Sequence, residues 1–210
     1  MIAIVDYGMG NVRSVMNALA WIGEDAEVTD DPRALDDADR LILPGVGAFG
    51  DAMENLRRRG LVEALHRQVQ EKGKPFLAVC LGLQLLAKTS TEHGAHEGLG
   101  WLDADVVRFD VGDRALKIPH MGWNDVAPDQ EHALFTGLRR DQFVFYFVHS
   151  FHIVCRNAGD VAATCTYGRP FTAAVGRDNV FATQFHPEKS QRWGLRLLEN
   201  FAGLVKETIR

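Results

Sequence analysis

The chain has 210 residues, of which 46% are apolar, and this is enough to build a sizeable core; one domain over residues 1–210 is expected. The formal charge of −5 at pH 7 is spread along the chain with no basic run to neutralise a row of phosphates, which argues against nucleic acid as a partner. No apolar stretch reaches the roughly 18 residues of a membrane span, and the opening MIAIVDYGMG carries no basic leader, so a cytoplasmic protein away from membranes is expected.

In chain order, the β-branched run at 2–5 reads as a strand, and Val12, Val15, Met16 and Leu19 then recur at helical spacing. A second strand follows at 26–29 and a third at 40–43, ended by Pro44-Gly45. A helical stretch through Leu56, Leu61 and Leu65 leads to a fourth strand at 76–79. Strands separated by helices imply a mainly parallel sheet with helices on both faces. After the polar, glycine-rich stretch 89–100 the character changes. The runs VVRF, QFVFYFV, FHIVC, VAATCTY and VFATQF follow one another with few helices between, which predicts antiparallel additions to the same sheet. A helix over 193–206 closes the chain. The fold class expected is therefore α/β with a mixed central sheet.

The most informative segment is KPFLAVCLGLQLL at 74–86. An apolar strand meets a helix beginning near Leu83, and Cys80 stands at the junction with Ala78 two residues before it and Gly82 two after. That spacing suits a nucleophile elbow, whose tight turn leaves no room for large neighbours. There the backbone favours a thiolate, and the N–H of Leu81 points toward an oxyanion formed on an attacked carbonyl. The other two cysteines, Cys155 and Cys165, lie in strand-like runs and read as core residues; reduced thiols are expected throughout.

A cysteine nucleophile requires a base. In TQFHPEKS, His186 ends a strand, Pro187 holds the backbone extended, and Glu188 lies two residues on, on the same side, where it can orient the imidazole. The glycines at 45, 47 and 50 spell a dinucleotide-binding fingerprint, but the acidic residue that should end the next strand is missing, since that strand ends in Cys80. A loop whose backbone N–H groups approach a substrate suits them better. His149 and His152, three apart on a strand, are expected to face opposite sides, and His93 and His96 have no third ligand nearby, so no metal is expected.

Taken together, DYGMGN at 6–11, PGVGAF at 44–49, CLGLQLL at 80–86, PHMGWN at 119–124, YFVHS at 146–150 and QFHPEKS at 184–190 resemble the class I glutamine amidotransferases, and within them the glutaminase subunits of imidazole glycerol phosphate synthase. The resemblance covers essentially the whole chain. It implies that Cys80 is the nucleophile, His186 the general acid/base and Glu188 its orienter, with Val46 and Leu81 as oxyanion-hole donors. Gly47, Gln84, His149 and Ser150 would line the glutamine pocket. No cofactor is implied, and the partner is a (β/α)₈-barrel cyclase subunit forming a heterodimer. Met121 and Trp123 would belong to the docking surface, in a segment read as an exposed turn with Trp123 either an anchor or part of the core. Where the family's YFVHS is followed by two aromatic residues, this chain has Phe151 and His152.

Overall fold

In the computed structural model, which describes residues 1–112, 116–128, 132–139 and 142–204, strands and helices alternate through the first half. β1 (Ile2–Val5) leads to α1 (Val12–Trp21), β2 (Ala26–Thr29), β3 (Arg40–Gly45), α2 (Phe49–Arg58) and α3 (Leu61–His66), and β4 (Phe76–Cys80) runs directly into α4 (Leu81–Leu85). Two-residue strands β5 (Thr89–Ser90) and β6 (His96–Glu97) precede β7 (Ala104–Arg108), β8 (His120–Pro128), β9 (Val144–His149) and β10 (Phe151–Cys155). The chain then forms β11 (Val161–Tyr167), β12 (Arg169–Arg177), β13 (Val180–Thr183) and α5 (Gln191–Ala202). The stretch 205–206 of the expected last helix lies outside the described residues.

Among the described residues, nine strands form one sheet in the order β2-β1-β3-β4-β13-β12-β11-β8-β9. From β2 to β13 the neighbours are parallel, and from β13 to β9 antiparallel. β4 reads FLAVC and is buried throughout, as a strand covered on both faces must be. Its side chains alternate: Phe76 and Ala78 join the core beneath α2 and α3, whereas Leu77 and Val79 join the core beneath α1 and α5. α2 meets this sheet with Phe49, Ala52, Met53 and Leu56, and α5 with Gly194, Leu197, Leu198 and Phe201, each set at the spacing of one helix face.

Several elements depart from the sequence reading. The runs VVRF and FHIVC do not extend the main sheet; the chain turns at Ser150, and β10 pairs antiparallel with β7 in a second sheet ordered β10-β7-β5-β6. PHMGWN is not a turn but the start of β8, paired residue for residue with β9 from His120↔His149 to Asp125↔Val144. Its mixed polar and glycine composition hid a strand that is largely exposed on one face. β3 continues through Pro44 and Gly45 because β1's ladder ends at Ile42, so the missing proline N–H has no partner to disappoint on that side.

The junction of β4 and α4 lies hard against β3. A Cβ on Gly82 would come within 2.2 Å of the Leu43 carbonyl oxygen, a backbone atom with no freedom to move aside. By contrast, a Cβ on Gly203 would meet nothing closer than 3.4 Å. Gly82→Ala is therefore expected to cost about 3 kcal/mol and Gly203→Ala less than about 0.5 kcal/mol. Urea unfolding of the two variants checks the difference; equal stabilities would refute the packing argument.

Candidate active site

The carboxyl ends of three adjacent parallel strands, β3, β4 and β13, form the floor of the site, with Gly45 beside Cys80 and Val79 beside Thr183. Open α/β sheets bind their ligands outside these ends. Cys80 has φ 56° and ψ −108°, a conformation costing about 1–3 kcal/mol that persists only where the surroundings impose it. Here they do: besides the Gly82 contact, a Cβ on Gly45 would lie 2.6 Å from the Tyr7 hydroxyl and 2.7 Å from the Gly82 nitrogen. The sharp turn raises the thiol above the sheet.

His186 follows β13, and the next residues, Pro187–Lys189, form a 3-10 turn in place of the extended segment expected. The turn still brings the carboxylate to the ring: His186 Nδ1 lies 2.8 Å from Glu188 Oε1, and the two side chains are 1% and 2% exposed. Ser190 locks the turn, donating from Oγ to the His186 carbonyl at 2.6 Å and accepting from Tyr146 N–H at 3.0 Å. The His186 N–H donates in turn to the Tyr146 carbonyl at 2.9 Å. With Nδ1 held by Glu188, the buried Nε2 of His186 is the ring nitrogen left to face Cys80. Burial by itself lowers the pKa of this ring, but the charge of Cys80, hydrogen bonding to Cys80 and the Glu188 carboxylate outweigh it and push the value up to about 10. His186 is an imidazolium at neutral pH.

Cys80 and His186 share a cavity of about 330 Å³ whose walls include Val46, Gly47, Leu81, Gln84, His149 and Ser150. Glu92, Pro119, Val148 and Phe151 complete the lining and were not singled out from sequence. Leu81 begins α4, where a first-turn N–H has no partner within the helix. The Val46 N–H is already engaged, donating to the Met9 carbonyl at 2.9 Å. On β8, next to the edge strand β9, Met121 and Trp123 are 63% and 48% exposed, so Trp123 is not a core residue.

A family model for class-I glutamine amidotransferases matches residues 3–203. The chain belongs to this family. It is 54% identical to "Imidazole glycerol phosphate synthase subunit HisH 2" of Nitrobacter winogradskyi, over 95% of this chain and 96% of that protein. The protein of the same name from Pseudomonas aeruginosa is 50% identical over 98% of this chain and 100% of its own length. Among solved structures, PurLQS from Thermotoga maritima superposes with a TM-score of 0.71 over 96% of each chain, at 22% identity, which is a likeness of fold.

Around the nucleophile, this amidotransferase carries a polar network linking residues far apart in sequence. His149 lies opposite His120 in the β8–β9 ladder, and His120 Nδ1 is 3.1 Å from His149 Nε2. Since His149 Nδ1 faces the Phe151 carbonyl at 2.8 Å, it must carry the proton, so Nε2 accepts from His120. His120 Nε2 then accepts from the Asn124 amide at 3.2 Å. Both rings are neutral: burial pulls His120 down to about 4 and His149 to about 3. His152 does not face away from His149 as the spacing suggested, because Ser150 separates two strands; both rings contact Phe109, at 5.0 and 4.6 Å.

Tyr7 was also overlooked. Its hydroxyl is buried beside Gly45 without a hydrogen-bond partner, and burial, then the charges of Cys80 and Asp6, raise its pKa so that it remains protonated. Burial pushes Cys155 up to about 11 and Cys165 to about 12, which leaves both as thiols at neutral pH.

The histidines set opposing slopes of stability with pH. His186 has a raised folded-state pKa, so its contribution is complete below about 6.5 and is lost as pH rises toward about 10. His120 and His149 have lowered values, so theirs is present above about 6.5 and lost as pH falls toward about 4 and about 3. Titration of the ¹⁵N-labelled imidazoles should find His186 charged and His120 and His149 neutral at pH 8. In Cys80→Ala the His186 titration should move down, since the largest raising influence is gone. A neutral His186 at pH 8 in the parent chain would refute the assignment.

Proposed function

We propose that this amidotransferase is the glutaminase subunit of an imidazole glycerol phosphate synthase, one domain over residues 1–210, supplying ammonia to a cyclase subunit in histidine biosynthesis. Relatives named as HisH subunits of that synthase, half-identical over nearly the whole chain, support the reading. The observation that carries the chemistry is the buried His186–Glu188 pair opening on the same cavity as Cys80.

In this reading the Cys80 sulfur attacks the side-chain carbonyl carbon of glutamine, and the Leu81 N–H stabilises the oxyanion. The Val46 N–H becomes the second donor once its bond to the Met9 carbonyl is given up. His186 delivers its proton from Nε2 to the leaving nitrogen, ammonia departs, and a thioester remains. Water, deprotonated by His186, then releases glutamate. Gly47, Gln84, His149 and Ser150 shape the glutamine pocket, and the Glu92 carboxylate offers a partner for the substrate's α-ammonium group. Ammonia released into bulk water would become ammonium, which is no nucleophile, so it has to pass to the cyclase under cover. Met121 and Trp123 on β8 are exposed apolar side chains suited to that docking. Reduced cysteines fit a cytoplasmic setting.

A glutamine-like electrophile should label Cys80 and spare Cys155 and Cys165. Cys80→Ala should lose glutamine-driven synthesis by at least about a hundredfold while the complex still uses added ammonia, and Glu188→Gln should fall by less. Steady-state assays with each nitrogen source decide this; a Cys80→Ala variant within tenfold of the parent on glutamine would sink it.

Trp123→Ala should weaken the complex by about 2 kcal/mol, roughly thirtyfold in Kd, while the isolated subunit melts as the parent does. Calorimetric titration against the cyclase measures the change, and an unaltered Kd would remove Trp123 from the interface.

A further inference from the structure

The Cys80 sulfur has a neighbour to which the triad assigns no task. Gln184, in the bend that joins β13 to His186, is fully buried, and its side-chain nitrogen lies 3.7 Å from the Cys80 sulfur. The direction of this contact follows from its surroundings. The Phe151 carbonyl can only accept, so Gln84 must present its Nε2, at 3.0 Å. That same nitrogen reaches the Gln184 side chain at 3.1 Å, so the atom of Gln184 meeting it must be the carbonyl oxygen. The amide NH₂ of Gln184 is then the end left facing sulfur. Each orientation in the series is set by the preceding one, beginning at a backbone carbonyl that the β9–β10 turn holds in place.

We propose that Gln184 belongs to the catalytic apparatus, its side-chain amide donating to the Cys80 sulfur, orienting the nucleophile and stabilising its anionic form. The proposal rests on Cys80 being the nucleophile. A donor at sulfur on the side away from the incoming carbonyl lowers the energy of the thiolate without protonating it, and it is relinquished as the thioester forms and the negative charge leaves sulfur. His186 provides the charge opposite the thiolate, and Gln184 provides a neutral, directional bond. Tyr7, which also feels the charge of Cys80, is a neutral hydroxyl. Gln84 plays a positioning part: with its nitrogen held by Phe151 and Gln184, only its carbonyl oxygen is left to meet substrate.

The test follows alkylation of Cys80 by iodoacetamide against pH in the full chain, alongside kcat and KM for glutamine in the complex with the cyclase. Gln184→Leu removes the donor at similar size, and Gln184→Glu replaces it with an acceptor. In Gln184→Leu the midpoint of alkylation should rise by about one pH unit. Its kcat should fall about tenfold with KM within twofold of the parent, and Gln184→Glu should be worse on both counts. A Gln184→Leu variant with the parent's midpoint and kcat would overturn the proposal. A parent chain in which Cys80 resists alkylation altogether would instead overturn its assignment as nucleophile. Should neither variant fold, the side-chain amide resonances of Gln184 in the parent provide the reading. They should move on Cys80→Ala by more than those of Gln84, and unmoved resonances would overturn the proposal.

Discussion

Everything at this site depends on one backbone residue, Cys80, held in a conformation that a cysteine would not adopt on its own. The strain is carried by packing. β3 and β4 run side by side to the same level, and the crossing from β4 into α4 is so close to β3 that Gly45 and Gly82 must lack side chains. Widening the turn would relieve the cysteine, but it would draw the Leu81 N–H and the sulfur away from any carbonyl placed between them. The buried apolar faces of β4, each packed under a pair of helices, anchor the strand whose end is strained. Stability is thus given up locally to hold the Cys80 thiol, itself 6% exposed, at the cavity above a rigid floor.

The second half of the chain brings His186 to Cys80 and joins both to β8 and β9. The turn carrying His186 and Glu188 is tied through Ser190 to β9, and β9 is paired along its length with β8. Trp123 and Tyr146, opposite each other in that ladder, have rings 6.0 Å apart. A displacement of β8 at its exposed face therefore meets the backbone that holds the base within two steps of contact. Two-way coupling between a docking face and a catalytic turn needs such a shared element, and β9 supplies one.

How much of this could be read beforehand depended on whether the signal was local. The strands at 2–5 and 76–79 were legible because parallel strands covered on both faces are short, uninterrupted apolar runs, whereas the edge strand at 26–29, AEVT, is only half-buried. Cys80 was legible because the elbow demands small residues two positions away on either side. β8 was not, since an outer strand with one open face needs no such run, and its glycine at 122 mimics a turn. Nor was the pairing of His120 with His149, which exists only because β8 and β9 share a register 29 residues apart. Glu92 and Phe151 reach the cavity by tertiary folding and have no motif of their own. Gln184 left no trace, since the run VFATQF reads as continuous strand whereas the chain bends at 184–185 after β13.

Three histidines at the heart of the molecule respond to burial in different ways. His120 and His149 are buried with both ring nitrogens committed in a series that starts at the Asn124 amide and ends at the Phe151 carbonyl. Each already has a donor and an acceptor in place, so adding or removing a proton would break a buried bond. Burial lowers both values, and at His149 the bond to the Phe151 carbonyl works against that lowering. His186 is no less hidden, but it is bracketed by a sulfur and a carboxylate. Burial of the same side chain thus produces two fixed neutral rings and one charged ring with a movable proton. The outcome turns on whether the neighbours are neutral dipoles or anions. Burial keeps His120 and His149 neutral beside the cavity, and the anionic neighbours of His186 reverse that effect at the one ring that faces Cys80.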